Sequence, residues 1–285
     1  MMIFLSTSGF KNNYSQIDIC KKYFKFGIKN IELSGGKYDK NILNNLKKEK
    51  NKITYSFHNY FPVPKKSFVI NLASDNKKIV NLSLKHIFNS LEKSIEFNSK
   101  FYSFHAGFLF DPKPIKLGKK LSNVKLLDKD YSKNIFIKNL KIISKKAYEL
   151  GIEVLIENNV LSHQNKKIFH TNPFHMVDAN DCIDIMNKTP GNINMLVDLG
   201  HLKVSSNSLN FNKYKFLSKC KKWTRGYHLS DNNGYSDLNK PINKNSWFWG
   251  HIKKRNILFY TLETKHTSFK LKVDQFKLLK NYLNS

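Results

Sequence analysis

Four side chains that can bind a divalent metal end four short apolar runs in the second half of the chain: Glu157 in LIENN, Asp198 in LVDLGH, His228 in YHLSD and Glu263 in YTLETK. Carboxylate oxygens with one imidazole nitrogen suit Mn²⁺, Mg²⁺, Co²⁺ or Zn²⁺. A metal held there could polarise a carbonyl and stabilise an enediolate, or activate water against a phosphate. A single buried carboxylate or histidine is usually a hydrogen-bonded core residue, but four at the same end of four strands would bury unpaired charge. We therefore interpret the four as one metal site.

The elements that would position these residues follow a repeating pattern. Eight short apolar runs are typical of strands covered on both faces: Ile3–Ser6, Asn30–Leu33, Ile53–Phe57, Phe101–Phe104, Val154–Ile156, Met195–Val197, Gly226–Leu229 and Leu258–Leu262. Most are separated by segments with helical periodicity, including Ser15–Phe26, Lys77–Phe97, Ser132–Leu150 and Asn212–Lys221. Gly27 and Gly151 stand where helix stops belong. No glycine-rich phosphate loop follows the first strand, which disfavours an open doubly wound sheet. The pattern predicts an α/β protein with one (β/α)₈ TIM barrel domain over residues 1–285.

In such a barrel the carboxyl ends of all strands meet at one mouth, where enzymes of this fold build their sites. Side chains that can titrate or bind metal stand at that end of seven strands: the four above, and Glu32, His58, His105, His201 and Asp231. The long segments 108–131, 159–180 and 231–252 leave strands at the same face. We expect them to form a lid over a metal site at the mouth.

The net charge of +28 suggests a nucleic-acid partner, but the residues that carry it argue against one. Only Arg225 and Arg255 among the 49 basic residues are arginine, and proteins that read phosphates or grooves rely on the bidentate arginine fork. The lysines are spread over nearly all predicted helices, which indicates a compositional bias with some attraction for anionic substrates. Nucleic acid is the less favoured partner.

The chain has no apolar run of membrane-spanning length, and its first residues, MMIFLSTSG, predict a strand and not a signal peptide. Cys20, Cys182 and Cys220 lie far apart, without the paired spacing of a thiolate metal site, and suit a reducing compartment. We expect a cytoplasmic protein with no membrane partner.

The chain resembles the xylose-isomerase-like barrel superfamily, which includes sugar isomerases, sugar 3-epimerases and endonuclease IV. The resemblance covers nearly the whole chain and is most specific in FHNYFPVPKKSFVINLAS, SFHAG, LIENN, LVDLGH and HLSDNNGYSDLN. For the epimerase branch it implies that Glu157, Asp198, His228 and Glu263 share one divalent metal. It also implies that Glu157 and Glu263 are the acid/base pair and that His201 positions the substrate. Dimers are common in this superfamily, so a homodimer is an expected assembly.

The endonuclease IV branch holds three zinc ions, and the resemblance assigns ligands for the other two as well: His58 and His105 for the second, with Glu157 bridging, and His201 and Asp237 for the third. Asn239 stands where that branch has a histidine, and a neutral asparagine is a poor zinc ligand. This departure favours one metal, or two, over the full cluster.

Other residues near the strand ends are candidates for substrate binding. Asn59 and Asn158 directly follow site residues and can hydrogen-bond hydroxyls or support the ligands. Trp247, in NSWFWG, can stack on a sugar face or close the mouth as local core. The predicted substrate contacts are His58, His105, His201, Asn158, Asp231 and Trp247. His163, His170 and His175 lie on the loop after strand five, from which one could reach the site, and His86, His251 and His266 are interpreted as structural.

These features predict a divalent-metal-dependent sugar or sugar-phosphate isomerase/epimerase that transfers a proton through an enediolate. The alternative is an endonuclease IV-like hydrolase that cuts DNA at abasic sites, which the near-complete ligand set and the positive charge support. A third interpretation, a metal-free sugar-binding barrel, fits the intact acidic set least well. The expected partner is a small sugar or sugar phosphate.

Overall fold

Eight parallel strands close into a barrel in the computed structural model, which describes residues 2–10, 14–122, 124–265 and 268–285. The strands pair in chain order, and the first pairs with the last. They are β1 Met2–Ser6, β2 Asn30–Ser34, β3 Thr54–His58, β4 Phe101–His105, β5 Glu153–Glu157, β6 Ile193–Asp198, β7 Thr224–Leu229 and β8 Phe259–Leu262. The closed parallel barrel confirms the predicted (β/α)₈ fold.

Helices connect the strands and cover the outside of the barrel. Those in the described residues are α1 Gln16–Lys25, α2 Ile42–Lys47, α3 Lys77–Glu96, α4 Lys129–Glu149, α5 His163–Phe169, α6 Ala179–Asn187, α7 Leu199–Ser208, α8 Lys213–Lys219 and α9 Phe269–Asn284, with a short 3₁₀ helix at Pro114–Lys116. Among them, no helix combines the length and apolar character that a bilayer crossing requires.

The ends of the predicted helices follow from their capping residues. Helix α4 begins three residues before the predicted start because the Asp128 side chain caps it, accepting a hydrogen bond from Tyr131 N. Ser15 and Asp18 form a reciprocal capping box on α1. Gly27 and Gly151 follow α1 and α4 with φ of 78° and 64°, a region that glycine adopts without strain. Both predicted helix stops are confirmed.

The two-residue period of the strands divides their side chains between two environments. Val154 and Ile156 of β5 belong to the large core cluster that includes residues of the surrounding helices. Leu155, between them, packs instead in a separate cluster with residues of other strands, Phe4, Phe101, Leu196 and Phe259. We call this second cluster the barrel plug. Two residues further along the same strands, and on the same face, Glu157 follows Leu155 and Asp198 follows Leu196. The polar layer is therefore adjacent to the barrel plug along the strands.

The lid segments lie over the carboxyl ends of the strands and contact one another. A two-residue bridge joins Phe108, after β4, to Phe174, after β5. Around it Leu121, Leu161, Phe169, Phe174 and Val177 form a small apolar cluster of their own. The segment after β7 contacts the segment after β5, where the Tyr235 ring lies 5.1 Å from the His163 ring.

Replacing Phe4 with alanine should lower the free energy of unfolding by about 3–5 kcal/mol, because a fully buried aromatic ring would leave a cavity. Phe4 meets Phe101 and Phe259 edge-to-face, at 5.8 and 6.0 Å between ring centroids. Urea unfolding measures the loss. Tyr148→Ala, at a residue 80% exposed on α4, is the control and should change the value by no more than about 0.5 kcal/mol. Equal effects of the two changes would contradict the assignment of the plug.

Candidate metal centre and substrate cavity

The four residues predicted to bind metal come together at the carboxyl ends of β5 to β8. Glu157, Asp198, His228 and Glu263 each offer one ligand atom, and these atoms all lie within 4.8 Å of one another. His228 Nδ1 is 3.1 Å from Glu157 Oε1 and 3.0 Å from Glu263 Oε2. Four residues that span more than a hundred positions of the chain thus form one group because four adjacent strands end at the same level.

The LVDLGH segment fixes the position of Asp198 through the start of α7. Asp198 ends β6 and is also the N-cap of α7, where its Oδ1 accepts a hydrogen bond of 2.7 Å from His201 N. Asn158 ties β5 to β6, because its Oδ1 accepts from Asp198 N at 2.8 Å and its Nδ2 donates to Asp198 O at 3.3 Å. A Cβ on Gly200 would lie 2.4 Å from Ser230 Oγ and 3.2 Å from Asp198 Oδ1, so a larger residue there would have to displace these side chains.

His228 is held from behind by Glu32, a residue of β2. Glu32 Oε2 lies 2.9 Å from His228 Nε2 and accepts a 3.0 Å hydrogen bond from Thr261 Oγ1. His228 Nδ1 consequently faces Glu157 and Glu263. A carboxylate behind an imidazole is the usual support of a metal-binding histidine, because it fixes the orientation and tautomer of the ring.

A second group of three ligands shares Glu157 with the first. Glu157 Oε2 lies 3.4 Å from both His58 Nε2 and His105 Nδ1, and the three residues satisfy the same 4.8 Å criterion. His58 Nδ1 lies 2.9 Å from Ser103 Oγ. The geometry therefore offers room for a second cation beside Glu157.

The residues of the third predicted metal do not complete a group of three within the part of the chain that the structure describes. His201 Nε2 is 3.7 Å from Asp237 Oδ2, while its Nδ1 donates to Asn158 O at 2.9 Å. Asn239 Nδ2 points to the backbone oxygen of Glu263 at 3.5 Å. The Asn239 side chain therefore contacts the backbone of Glu263.

Charges in the cluster depend on one another. Burial raises the pKa of Asp198 to about 7, which His201 opposes and Glu157 reinforces. Burial would raise the pKa of Glu157 too, but His105, His228 and His58 hold it below its ordinary value. Burial likewise disfavours charge on His228, yet Glu32 and Glu157 raise its pKa well above the usual range. The carboxylates of the cluster can all be ionised together only when positive charge lies beside them.

A divalent cation fits this donor set. Glu157 Oε2 and Asp198 Oδ2 are buried and have no hydrogen-bond partner among the residues that the structure describes, although such oxygens ordinarily have one. Both belong to residues of the four-ligand group. A cation would satisfy these lone pairs and supply the charge that the carboxylates need.

A cavity of about 450 Å³ opens above the cluster. Glu263, His105 and His201 line it, whereas Glu157 and Asp198 are completely buried beneath. Glu263 is 14% exposed. Among the carboxylates of the four-residue group, Glu263 is therefore the one that a molecule in the cavity would contact.

Two predicted substrate contacts lie elsewhere. Asp231 Oδ1 forms an ion pair of 2.6 Å with Lys203 Nζ, and its carboxylate is used to hold α7. Trp247 packs on Tyr214, with ring centroids 5.8 Å apart. Neither lines the cavity. Of the two interpretations of Trp247, the structure supports local packing, because the segment after β7 folds outward toward α8.

Two further predicted contacts, His58 and Asn158, are buried and support the cluster from below. His175 is also buried, between Ser132 Oγ at 3.0 Å and Asp181 Oδ2 at 3.6 Å, and it does not line the cavity. His86 bonds to Asn59 O, as expected of a structural residue. His266 lies outside the described residues.

Lys272 of α9 supports the site from behind. It is fully buried, and its Nζ donates to Thr264 O at 2.7 Å and to Ser8 O at 3.2 Å. Thr264 adjoins Glu263, and Ser8 Oγ donates to Glu263 Oε1 at 2.9 Å. Helical period could have shown that Lys272 lies on the buried face of α9 with Leu279 and Leu283, but not that it reaches the backbone beside Glu263.

No protein-family model matches the chain, and no curated protein matches it. Solved structures match over its whole length. A D-tagatose 3-epimerase-like protein has 18% identity and a TM-score of 0.74, covering 100% of this chain and 97% of the other. D-psicose 3-epimerase from Clostridium cellulolyticum H10 has 13% identity and a TM-score of 0.70, covering 100% and 98%. A 3-keto-D-glucoside 4-epimerase, YcjR, from E. coli has 12% identity and a TM-score of 0.68, covering 99% of each chain. The chain shares their fold.

That shared fold confirms the resemblance at the level of architecture. Two of these three proteins are sugar epimerases and the third is epimerase-like, and the motifs that suggested the resemblance lie at the carboxyl ends of strands of the same closed barrel. At such low identities the fold does not transfer a substrate.

Lys272 should make stability depend on pH between about 7 and 10.5. Burial lowers its pKa to about 7 from 10.5, which Glu263 opposes. The unfolded chain therefore holds the proton over a range in which the folded chain releases it, so wild-type stability gains about 1.4 kcal/mol per pH unit there relative to Lys272→Met. Urea unfolding of both proteins at pH 7 and pH 9 measures the difference. Lys280→Met, exposed on the same helix, should show no such trend; a pH-independent difference for Lys272→Met would refute the assignment.

Proposed function

We propose that the protein is a divalent-metal-dependent isomerase or epimerase that acts on a sugar or sugar phosphate. The observation that carries this proposal is the group of four ligand atoms, all within 4.8 Å of one another, at the floor of a cavity of small-molecule size. The sugar epimerases that share the fold support the choice of reaction class. The barrel mouth is where enzymes of this architecture place their sites.

In this proposal Glu157, Asp198, His228 and Glu263 hold a divalent ion, Mn²⁺, Mg²⁺, Co²⁺ or Zn²⁺. The bound ion supplies positive charge that polarises a substrate carbonyl and favours the enediolate created by proton removal. Glu32 and Asn158 orient the ligands. His58 and His105, which share Glu157, would hold a second ion where one is bound.

Glu157 and Glu263 would act as the acid/base pair. Burial opposes ionisation of Glu263, but His228 holds its pKa well below the usual range, and the pKa of Glu157 is also lowered. Both carboxylates are therefore ionised at neutral pH and can accept a proton from a carbon next to a carbonyl. Glu263 opens directly to the cavity, and Ser8 holds its other oxygen. His105 and His201 face the same cavity and would position the sugar hydroxyls.

Replacing Glu263 with glutamine should abolish catalysis while leaving the fold intact, because the amide keeps the shape and cannot accept the proton. The assay is incorporation of solvent deuterium into free and phosphorylated ketoses by metal-loaded protein, followed by NMR. A fall of about 100-fold or more is expected for loss of a general base. Glu149→Gln, exposed at the end of α4, is the matched control. Wild-type exchange in the Glu263→Gln protein would eliminate the assigned role.

Replacing Asp198 with asparagine should lower metal affinity, since a neutral amide replaces a ligand whose Oδ2 otherwise has no partner. Metal content per chain after gel filtration is measured by elemental analysis, and melting temperature is measured with and without chelator. The wild type should retain metal and lose thermal stability on chelation. Asp231→Asn removes a carboxylate outside the cluster and should retain the metal. Equal metal content in all three proteins would contradict the proposed site.

The second candidate is a phosphodiesterase that cuts DNA at abasic sites. Its support is the additional group His58, His105 and Glu157, which could hold a second cation next to the first. The lack of a third group around His201 and Asp237 in the described residues weighs against it. Nicking of a duplex with one abasic site, dependent on Glu263 and on added Zn²⁺ or Mn²⁺, would replace the isomerase proposal. Absence of nicking in a sample with confirmed bound metal would leave the isomerase proposal in place.

A further inference from the structure

The cavity above the metal cluster has two chemically different sides. The segments after β6, β7 and β8 contribute charged and polar groups, among them His201, Asp237 and Glu263. The segments after β3, β4 and β5 contribute a largely apolar wall formed by Tyr60, Ile70, Phe108, Leu117, Leu121 and Phe174. We call these six residues the apolar wall. A ligand that fills the cavity must therefore present polar groups to one side and apolar surface to the other.

Two of the amides that accompany the apolar wall, Asn159 and Asn165, hold the loops in place. Asn159 Nδ2 donates to the backbone oxygens of Ala106, Gly107 and His175. Asn165 Oδ1 accepts from Leu121 N at 3.0 Å, and its Nδ2 donates to Lys119 O at 3.3 Å. Asn159 and Asn165 thus shape the wall, whereas Asn59 Oδ1, at the foot of the wall after β3, has no hydrogen-bond partner among the described residues and can accept one from a sugar hydroxyl.

A bare monosaccharide does not match that wall. It carries hydroxyl groups on nearly every carbon, and each hydroxyl buried without a hydrogen bond is unfavourable. Tyr60, Phe108 or Phe174 could stack on the carbon face of one sugar ring. The aliphatic side chains of Ile70, Leu117 and Leu121 offer no hydrogen bond and suit hydrocarbon.

A phosphate group does not match the cavity either. Neither arginine of the chain lines it, and Arg225 pairs with Glu153 at 3.2 Å at the opposite end of β7. Lys119 lines the cavity but is solvent-exposed, so water and salt screen its attraction for an anion. Lys265 Nζ lies 3.8 Å from Asp237 Oδ2, so its charge is already compensated. His201 Nε2 lies 3.7 Å from the same Asp237 Oδ2, so both of these basic groups on the polar side already face a carboxylate.

We infer that the substrate is an uncharged sugar that carries an apolar substituent, with the sugar ring beside Glu263 and the substituent against the apolar wall. This inference rests on the proposed function for the reaction and narrows its substrate class. It selects the neutral over the phosphorylated sugar. The substituent is of the alkyl or acyl kind, because the aliphatic part of the wall is enclosed: Ile70 and Leu121 are both buried.

The test is calorimetric binding of methyl β-D-glucopyranoside, hexyl β-D-glucopyranoside and glucose 6-phosphate to the metal-loaded full chain. Each buried methylene strengthens binding about fourfold, so burial of two of the five added methylenes gives roughly a fifteenfold preference for the hexyl compound. Glucose 6-phosphate should bind no more tightly than methyl β-D-glucopyranoside. No detectable binding of the hexyl compound, a hexyl-to-methyl ratio near one, or tighter binding of the phosphate would overturn the inference.

Variants in a single loop locate the preference. Leu117→Gln and Leu121→Gln place an amide in the wall and should bring the hexyl-to-methyl ratio towards one. Ile115→Gln, in the same loop and 72% exposed outside the cavity, should keep the wild-type ratio. Because Leu121 packs among Leu161 and Phe169 and its variant can fail to fold, the partly exposed Leu117 provides an independent test. A wild-type ratio in Leu117→Gln and in every folded Leu121→Gln sample would place the alkyl chain elsewhere and refute the inference.

The same samples separate this inference from the proposed function. Deuterium exchange into ketoses tests the reaction, and the ratio of affinities tests the apolar wall without turnover. Deuterium exchange together with a hexyl-to-methyl affinity ratio near one would support the proposed function and refute the inferred substrate class. A strong ratio that depends on Leu117, without exchange on any sugar, sustains the binding site and removes the isomerase proposal.

Discussion

Compensation of buried charge is the constraint on which the mouth of the barrel depends. Glu32, Glu157, Asp198 and His228 are all buried there, and an isolated charge in such surroundings would be strongly unfavourable. His228 sits between Glu32 on one nitrogen and Glu157 and Glu263 on the other. Each group depends on contacts with its neighbours, so removing one would leave another buried polar group without its partner. The cluster therefore requires the strands to keep one mutual register.

The apolar layers of the barrel maintain that register. The barrel plug, with Phe101 and Phe259 stacked at 4.3 Å between ring centroids, lies one step along the strands from the charged layer. Burial of large aromatic side chains provides the favourable free energy that a polar cluster does not provide. Because the two layers are adjacent along the same strands, hydrophobic packing that fixes the strands also fixes the positions of the candidate ligands. A helix on the outside, α9, adds Lys272 to the support of Glu263 through two backbone oxygens.

The lid segments determine which molecules can reach the charged cluster. Glu157 and Asp198 lie beneath the surface of the cavity, and Glu263, His105 and His201 form part of it. The loops after β3 to β5 bring aliphatic and aromatic groups to the side opposite the charges. The strand ends thus define which reaction class the site suits, and the loops define which molecules fit. This division is common in barrels of this fold, in which loop variation changes the substrate.

The fold and the grouping of the four candidate ligands could be predicted from the sequence because both depend on local patterns. Each apolar run indicates a strand, and the residue that ends it must appear at the mouth once the barrel closes, so Glu157, Asp198, His228 and Glu263 could be assigned together. The contributions of Asp231, Trp247 and Lys272 depended on the tertiary structure. Asp231 pairs with a lysine of α7, Trp247 packs outward toward α8, and Lys272 reaches the site from the last helix. The sequence determined the order of strands and the chemistry at their ends, since these repeat with the period of the backbone. Only the tertiary structure decided the lining of the cavity, because long loops and distant helices meet there through contacts that no local period encodes.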